Sequence, residues 1–425
     1  MNQNIATELT QFIKESPSAF HAVATMKKEF LNHGFTQLQE NERWNLNAGS
    51  SYFVTRNDSS IIAFTIPENS FDGMRIMASH SDSPSFKIKE NPEMEVEKQY
   101  IKLNVERYGG MIFSPWFDRP LSVAGRVIIK NPSTGKLESR LVNVDRDLVM
   151  IPNLAIHMNR EVNNGYKYNA QKDMLPLYGM STAKDTFMQT IAEAAGVSVD
   201  DILGHDLFLY NRERASIWGA SEEFVSAPQL DDLQCAFSSM KGFLSSEKNN
   251  YLALHCVFDN EEVGSSTKQG AASTFLRDTL QRIHEVLGYD REDYRIHLAN
   301  SLMLSADNAH AVHPNIPEKH DPTNRPVMGK GPFIKINANQ AYTSDAYSIS
   351  IYKSICKESG VKYQEFVNRS DERGGSTIGP ISSTHIDIPS VDVGTPILAM
   401  HSIRELGSVD DHYSIYKTFH KFYEI

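Results

Sequence analysis

The sequence predicts an α/β fold: a central β-sheet flanked by helices, with a second, β-rich domain inserted into it. Three observations lead there. Strand-like apolar runs recur as "GMRIMAS", "YLALHCVF", "NSLMLSA" and "SVDVGTPILAM". Each is followed closely by a polar residue able to bind a metal, and open α/β sheets bind ligands outside the carboxyl ends of their strands. The stretch from about 89 to 220 instead holds short alternating runs such as "AGRVIIKN", many turn residues and few candidate ligands.

Both chain ends read as helices. Ile5, Leu9, Phe12 and Ile13 share one helical face. "SPSAF" breaks that helix, and Ser18 is placed to cap a second one carrying Phe20, Val23, Phe30 and Leu31. The C-terminal "HYSIYKTFHKFYEI" is amphipathic.

At 425 residues the chain is long enough for two to three domains. Its 40% hydrophobic and 22% charged content fits a globular protein with a sizeable core. A net charge of −11 argues against nucleic acid and anionic membrane surfaces as partners, since both ask for a basic footprint. No apolar run approaches the ~18 residues of a membrane span. Three widely spaced cysteines, Cys235, Cys256 and Cys356, predict a reducing compartment without structural disulfides. The N-terminal stretch has no apolar signal core. The expected location is the cytoplasm.

The candidate chemistry lies at the strand ends. "SHSDSPSFKIK" brings His80 and Asp82. An imidazole can bind a metal through one nitrogen while the other donates to a carboxylate. Taken alone, the two read equally well as surface polar residues. "SAPQLDDLQCAF" places Asp231 and Asp232 at the start of a helix marked by Leu233, Phe237, Met240 and Leu244. There negative charge is favoured with or without a metal. "VFDNEEVGSS" carries Glu261 and Glu262 beyond a strand end. Two converging carboxylates repel until one takes a proton or a dication binds. Asp307 in "LSADNAHAVHP" and His401 in "LAMHSIRE" complete a His, Asp, Glu-Glu, Asp, His order. HExxH, the phosphate-binding GxxxxGK[ST] loop and the GxSxG nucleophile elbow are absent.

At these residues the sequence resembles the aspartyl aminopeptidase family of dinuclear zinc exopeptidases. The matching stretches are "SPSAFHAV", "ASHSDSPSFKIK", "WFDR", "IPNLAIH", "SAPQLDDL", "DNEEVGS", "DNAHAVHPN", "KGPFIKIN", "STIGP" and "MHSIRE", spread over nearly the whole chain. The resemblance implies a zinc-exopeptidase-like catalytic domain, with a central mixed β-sheet flanked by helices, from residues 1–88 and 221–425. It implies an inserted dimerisation domain at 89–220, and dimers that assemble into a dodecamer. It further implies two divalent metal ions per subunit, zinc first, with manganese or cobalt as alternatives. Asp231 would bridge them, His80 and Asp307 would complete one site, and Glu262 and His401 the other. Glu261 would be the general base and Asp82 would support His80. Lys335, His157 and Tyr342 make up the expected substrate-binding set. Lys335 would meet an acidic N-terminal residue, and His157 would approach a neighbouring subunit's site. Asp232 stands where the family usually has Asn, and Pro120 where an acidic residue is common.

The implied activity is removal of the N-terminal residue, preferentially Asp or Glu, from peptides. A deacylase of N-acyl amino acids and a non-catalytic peptide-binding assembly are the rivals. A spare carboxylate beside a ligand speaks against the second rival. A structural zinc site is usually closed and ligated by Cys or His, whereas this set is rich in carboxylates.

Overall fold

The computed structural model describes residues 2–247, 249–372 and 374–425. The chain forms two compact units: Met1–Asp82, Ala215–Met400 and Glu405–Ile425 make the first, Ser83–Arg214 and His401–Arg404 the second. The divisions fall six residues before the 88/89 and 220/221 boundaries read from sequence, and a short segment around His401 joins the second unit.

The first unit is built on a nine-stranded sheet. Its order is Thr36–Leu38, Ser51–Arg56, Ser60–Thr65, Leu252–Phe258, Met74–His80, Leu302–Ala306, Ser390–Gly394, Phe333–Lys335 and Gln364–Phe366. Leu252–Phe258, Met74–His80, Leu302–Ala306 and Ser390–Gly394 run parallel. Strands such as these are covered on both faces, so they read as unbroken apolar runs. Every residue of Leu252–Phe258 is buried. The helix Asn2–Lys14 buries Ile5, Leu9, Phe12 and Ile13, the face its spacing predicts. Ser18 caps Ala19–Asn32, accepting from His21 N–H. The helices Leu230–Ser245 and Val409–Phe422 pack against each other, and Phe237, Met240, Phe243, Phe419 and Phe422 join one core beneath the sheet.

"SVDVGTPILAM" does not form one strand. It divides into Ser390–Gly394 and Pro396–Ile397, because proline lacks the N–H that would continue a ladder. His401 therefore does not follow directly on a strand end, as expected. It sits in a turn with φ 63°.

The second unit is a six-stranded antiparallel sheet ordered Leu137–Asn143, Leu121–Lys130, Ile202–Asn211, Ser85–Val96, Tyr100–Tyr108 and Leu177–Met180. Phe86, Val123, Val127, Leu207 and Leu209 lie in its core. All three cysteines are buried free thiols. Among the described residues, no helix is long and apolar enough to cross a membrane.

Candidate metal centre

The four parallel strands place their carboxyl ends together, where an α/β sheet opens a crevice. His80 is the last residue of Met74–His80, and Asp307 directly follows Leu302–Ala306. A Cβ at Gly394 would stand 2.0 Å from Asp307 O, so only glycine lets these strand ends meet this closely. Asp231 and Asp232 arrive from the start of Leu230–Ser245. Both have non-helical backbone angles, so the regular helix begins after them. Asp231 N–H donates to Glu405 Oε2 at 2.9 Å. His80 N–H donates to Asp232 Oδ2 at 3.1 Å.

Glu261 and Glu262 occupy one tight turn, Glu261–Val263, entered through Asn260 (φ 61°) and left through Gly264 (φ 95°). A strand would send these side chains to opposite faces, whereas the turn lets them converge. Asp82 holds the turn in place: its Oδ1 accepts from Glu261 N–H at 3.1 Å and its Oδ2 from Glu262 N–H at 3.2 Å. His80 Nδ1 lies 3.0 Å from the backbone carbonyl oxygen of Asp82 and 3.4 Å from carboxylate Oδ1. Both the main chain and the carboxylate of Asp82 thus face His80 Nδ1. The other ring nitrogen, Nε2, is 3.8 Å from Asp231 Oδ1.

His80, Asp231, Asp232 and Asp307 each offer a ligand atom within 4.8 Å of the others, and His80, Glu261 and Glu262 form a second such group. The positive charges that act on these acids are His80 and Lys335. Burial raises the Asp232 carboxyl well above the carboxylate range, and Asp307 and Asp231 push it the same way. Burial likewise lifts Asp307 to about 6, against the pull of Lys335. It lifts Glu261 to about 8, with Asp307, Glu262 and Asp82 adding repulsion. Burial alone would lower the His80 imidazole, but Asp232, Asp82 and Glu261 outweigh it and raise it. Asp232 Oδ1 is buried with no hydrogen-bond partner among the described residues. An excess of buried carboxylate, an imidazole and an orphaned oxygen fit divalent cations, which oxygen and imidazole donors bind.

The sequence profile of the aminopeptidase I zinc metalloproteases (M18) matches residues 12–423. The chain belongs to the M18 family. It is 52% identical over 426 residues to a probable M18 family aminopeptidase 2 of Clostridium novyi, covering 99% of this chain and 98% of that one. The structure superposes on a chain from the Ape4–Nbr1 complex with a TM-score of 0.96 at 35% identity, covering 100% of this chain and 86% of that one. It superposes on the S. cerevisiae mApe1 dodecamer chain with a TM-score of 0.87 at 26% identity, covering 99% and 96%. The chain is thus a zinc-dependent aminopeptidase.

In this M18 chain the remaining candidate residues have varied surroundings. Lys335 is buried at the end of Phe333–Lys335, with Nζ 3.1 Å from Asp307 Oδ2. Its Nζ stands 5.6 Å from the centre of the Tyr342 ring. Burial would lower the lysine, but Asp307, Tyr342 and Asp392 raise it, so it stays charged. His401 and His157 belong to the second unit. His401 Nδ1 is 2.7 Å from Gly110 O, and His401 O accepts from Ile112 N–H. His157 lies exposed in a turn. Sequence reasoning missed Glu405, the brace on Asp231. It stands four residues after His401 in "MHSIRE". It also missed Asn308, whose Nδ2 donates to Leu230 O at 2.9 Å and so ties the helix start to the residue after Asp307.

Proposed function

We propose that this aminopeptidase uses two divalent metal ions to remove the N-terminal residue from peptides, with a preference for Asp and Glu. The observation that carries this reading is the meeting of His80, Asp231, Asp232, Asp307, Glu261 and Glu262 at the carboxyl ends of parallel strands. His80 and Asp307 would hold one ion, Glu262 and His401 the other, and Asp231 both. A His401 ring whose Nδ1 rests on a carbonyl supports coordination through Nε2, the usual arrangement of metal-binding imidazoles. Held there, the ions would supply Lewis acidity toward the scissile carbonyl and toward water.

The protein's own groups supply the proton transfers. Glu261 takes the proton of the attacking water and returns it to the leaving amine, a role worth on the order of 10²–10⁴-fold. Its backbone is fixed by the Asp82 carboxylate, which keeps base and ligand in one turn. A carboxylate also suits the substrate's free α-ammonium, which would confine cleavage to the first residue.

Lys335 supports the acidic preference. A chain of net charge −11 repels acidic peptides at long range, so accepting them takes a local cation. His157 would reach a neighbouring subunit's site in an assembly built from dimers; a dodecamer is the assembly named for the S. cerevisiae relative. The buried reduced cysteines support a cytoplasmic location.

The specificity is tested with N-terminal Asp, Glu, Leu and Ala substrates. Lys335→Ala should lower kcat/KM for Asp by about 10- to 150-fold, the worth of a charge-assisted hydrogen bond, and leave Leu and Ala nearly unchanged. Equal loss on every substrate would instead make Lys335 a support for Asp307.

A further inference from the structure

Asp392 is a fully buried carboxylate in the middle of Ser390–Gly394. Its Oδ2 accepts from Thr343 N–H at 2.6 Å and from Thr343 Oγ1 at 2.7 Å. Its Oδ1 accepts from Thr377 Oγ1 at 2.6 Å. Its own N–H donates to Ser344 Oγ at 3.0 Å. One side chain thus ties a central strand to two segments far away in sequence.

The first segment links the strand Phe333–Lys335 to the helix Ala346–Glu358, which Asp345 caps through Ser348 N–H. The second opens the short helix Ile378–Ser382, with Thr377 at its N-cap. The Thr377 hydroxyl makes no cap hydrogen bond, because it is turned to Asp392. Gly379 packs against the same carboxylate. A Cβ there would lie 2.9 Å from both Asp392 oxygens and 3.0 Å from Thr343 Oγ1. The residue before Thr343 is Tyr342, which is buried with its ring beside the Lys335 ammonium.

Burying a carboxylate is costly unless its oxygens are satisfied. Here the satisfying donors come from Thr343, which follows Tyr342 in the chain, and from Thr377. We propose that Asp392 is a positioning residue: by clamping Thr343 and Thr377 it fixes Tyr342 against Lys335 and so shapes the subsite for the side chain of the N-terminal residue. This rests on the reading that Lys335 meets that side chain.

The test uses the full-length, metal-loaded enzyme and the ratio of kcat/KM for N-terminal Asp over Leu, with metal content and melting temperature recorded. Asp392→Ala should lower the ratio about 10-fold or more, mainly through KM for Asp, with metal content unchanged. Asp392→Asn should restore most of the ratio. Its Oδ1 can accept both Thr343 donors while its amide donates to the Thr377 hydroxyl. Thr377→Val, which removes one clamp bond at nearly constant shape, should move the ratio the same way by about threefold or more, and it serves as the test if Asp392→Ala does not fold. An unchanged ratio in Thr377→Val and Asp392→Ala would overturn the proposal, as would a uniform loss on all substrates. Lys335→Ala separates the two levels. If it alone lowers the ratio, the subsite reading stands and the clamp falls. If neither it nor the clamp variants lower the ratio, both fall.

Discussion

The crevice at the carboxyl ends of the nine-stranded sheet and the β-rich unit of Ser83–Arg214 depart from ordinary burial in opposite directions. The crevice collects like charges: Asp231, Asp232 and Asp307 are buried within reach of one another. In the β-rich unit opposite charges are paired, as in Lys87–Asp206 at 3.0 Å, Arg126–Asp206 at 3.1 Å and Lys184–Glu95 at 2.8 Å. There the departure is apolar: Leu137 and Met158 are 66% and 73% exposed, and Leu154 and Ile156 lie open near Met158. Buried repulsion of this kind suits a bound cation, and exposed apolar groups suit a partner surface. Local rules broken with only partial compensation inside the chain point to function.

The largest expected effect lies in the crevice. Glu261→Gln should lower kcat by at least about 100-fold while metal content stays near that of the parent enzyme. If the variant instead loses metal in step with activity, Glu261 is a ligand and the two glutamates exchange roles.

The second prediction sits in the β-rich unit. Replacing Leu154, Ile156 and Met158 together by Ser should shift the protein to smaller species in analytical ultracentrifugation, because apolar anchors carry most of an interface's stability. The melting temperature of the dissociated chain should hardly change, since these side chains contribute little to its own core. An unaltered sedimentation profile would free the exposed residues from any part in assembly.

The smallest effect sharpens the contrast between charged and neutral burial. Burial pushes the His255 imidazole down to about 3 and those of His21 and His412 to about 4. Their folded values lie below the unfolded value near 6.5, so the unfolded chain binds more protons in that range. The stability they contribute is present above pH 6.5 and is lost as pH falls toward 4, by up to about 1.4 kcal/mol per pH unit for each group. His255 packs among Phe30 and Phe243. His255→Phe should therefore flatten the fall of melting temperature between pH 6.5 and 4.5. An unchanged slope would show that His255 is not a source of acid sensitivity.

Much of the fold was legible because apolar runs and strand burial share one cause. Leu252–Phe258, Met74–His80 and Leu302–Ala306 stand where "YLALHCVF", "GMRIMAS" and "NSLMLSA" placed strands. The gathering of His80, Asp82, Asp231, Glu261, Glu262 and Asp307 followed from their common place at strand ends or a helix start. What stayed hidden depends on pairings distant in sequence. The Asp82 carboxylate is held to the Glu261 and Glu262 amides across 179 and 180 positions. Asp392 reads in "SVDVG" as an ordinary strand residue, because Thr343 and Thr377 are visible as partners only in the folded chain. Lys335 was legible as a candidate to meet an acidic side chain, but its ion pair with Asp307 was not, since nothing local joins "FIKIN" to "SADN". The strand end before His401 was misjudged because Pro396 sits inside an otherwise strand-like run.

The central claim is that the buried carboxylates exist to hold divalent metal. It is tested most directly by stripping the enzyme with a chelator and titrating zinc back while following bound metal, melting temperature and aminopeptidase activity together. The stripped protein should have no activity. Activity should recover and the melting temperature rise as two zinc equivalents bind per chain, and neither change should occur in Asp231→Ala. Full activity in the stripped protein, or recovery that ignores the loss of Asp231, would contradict the claim.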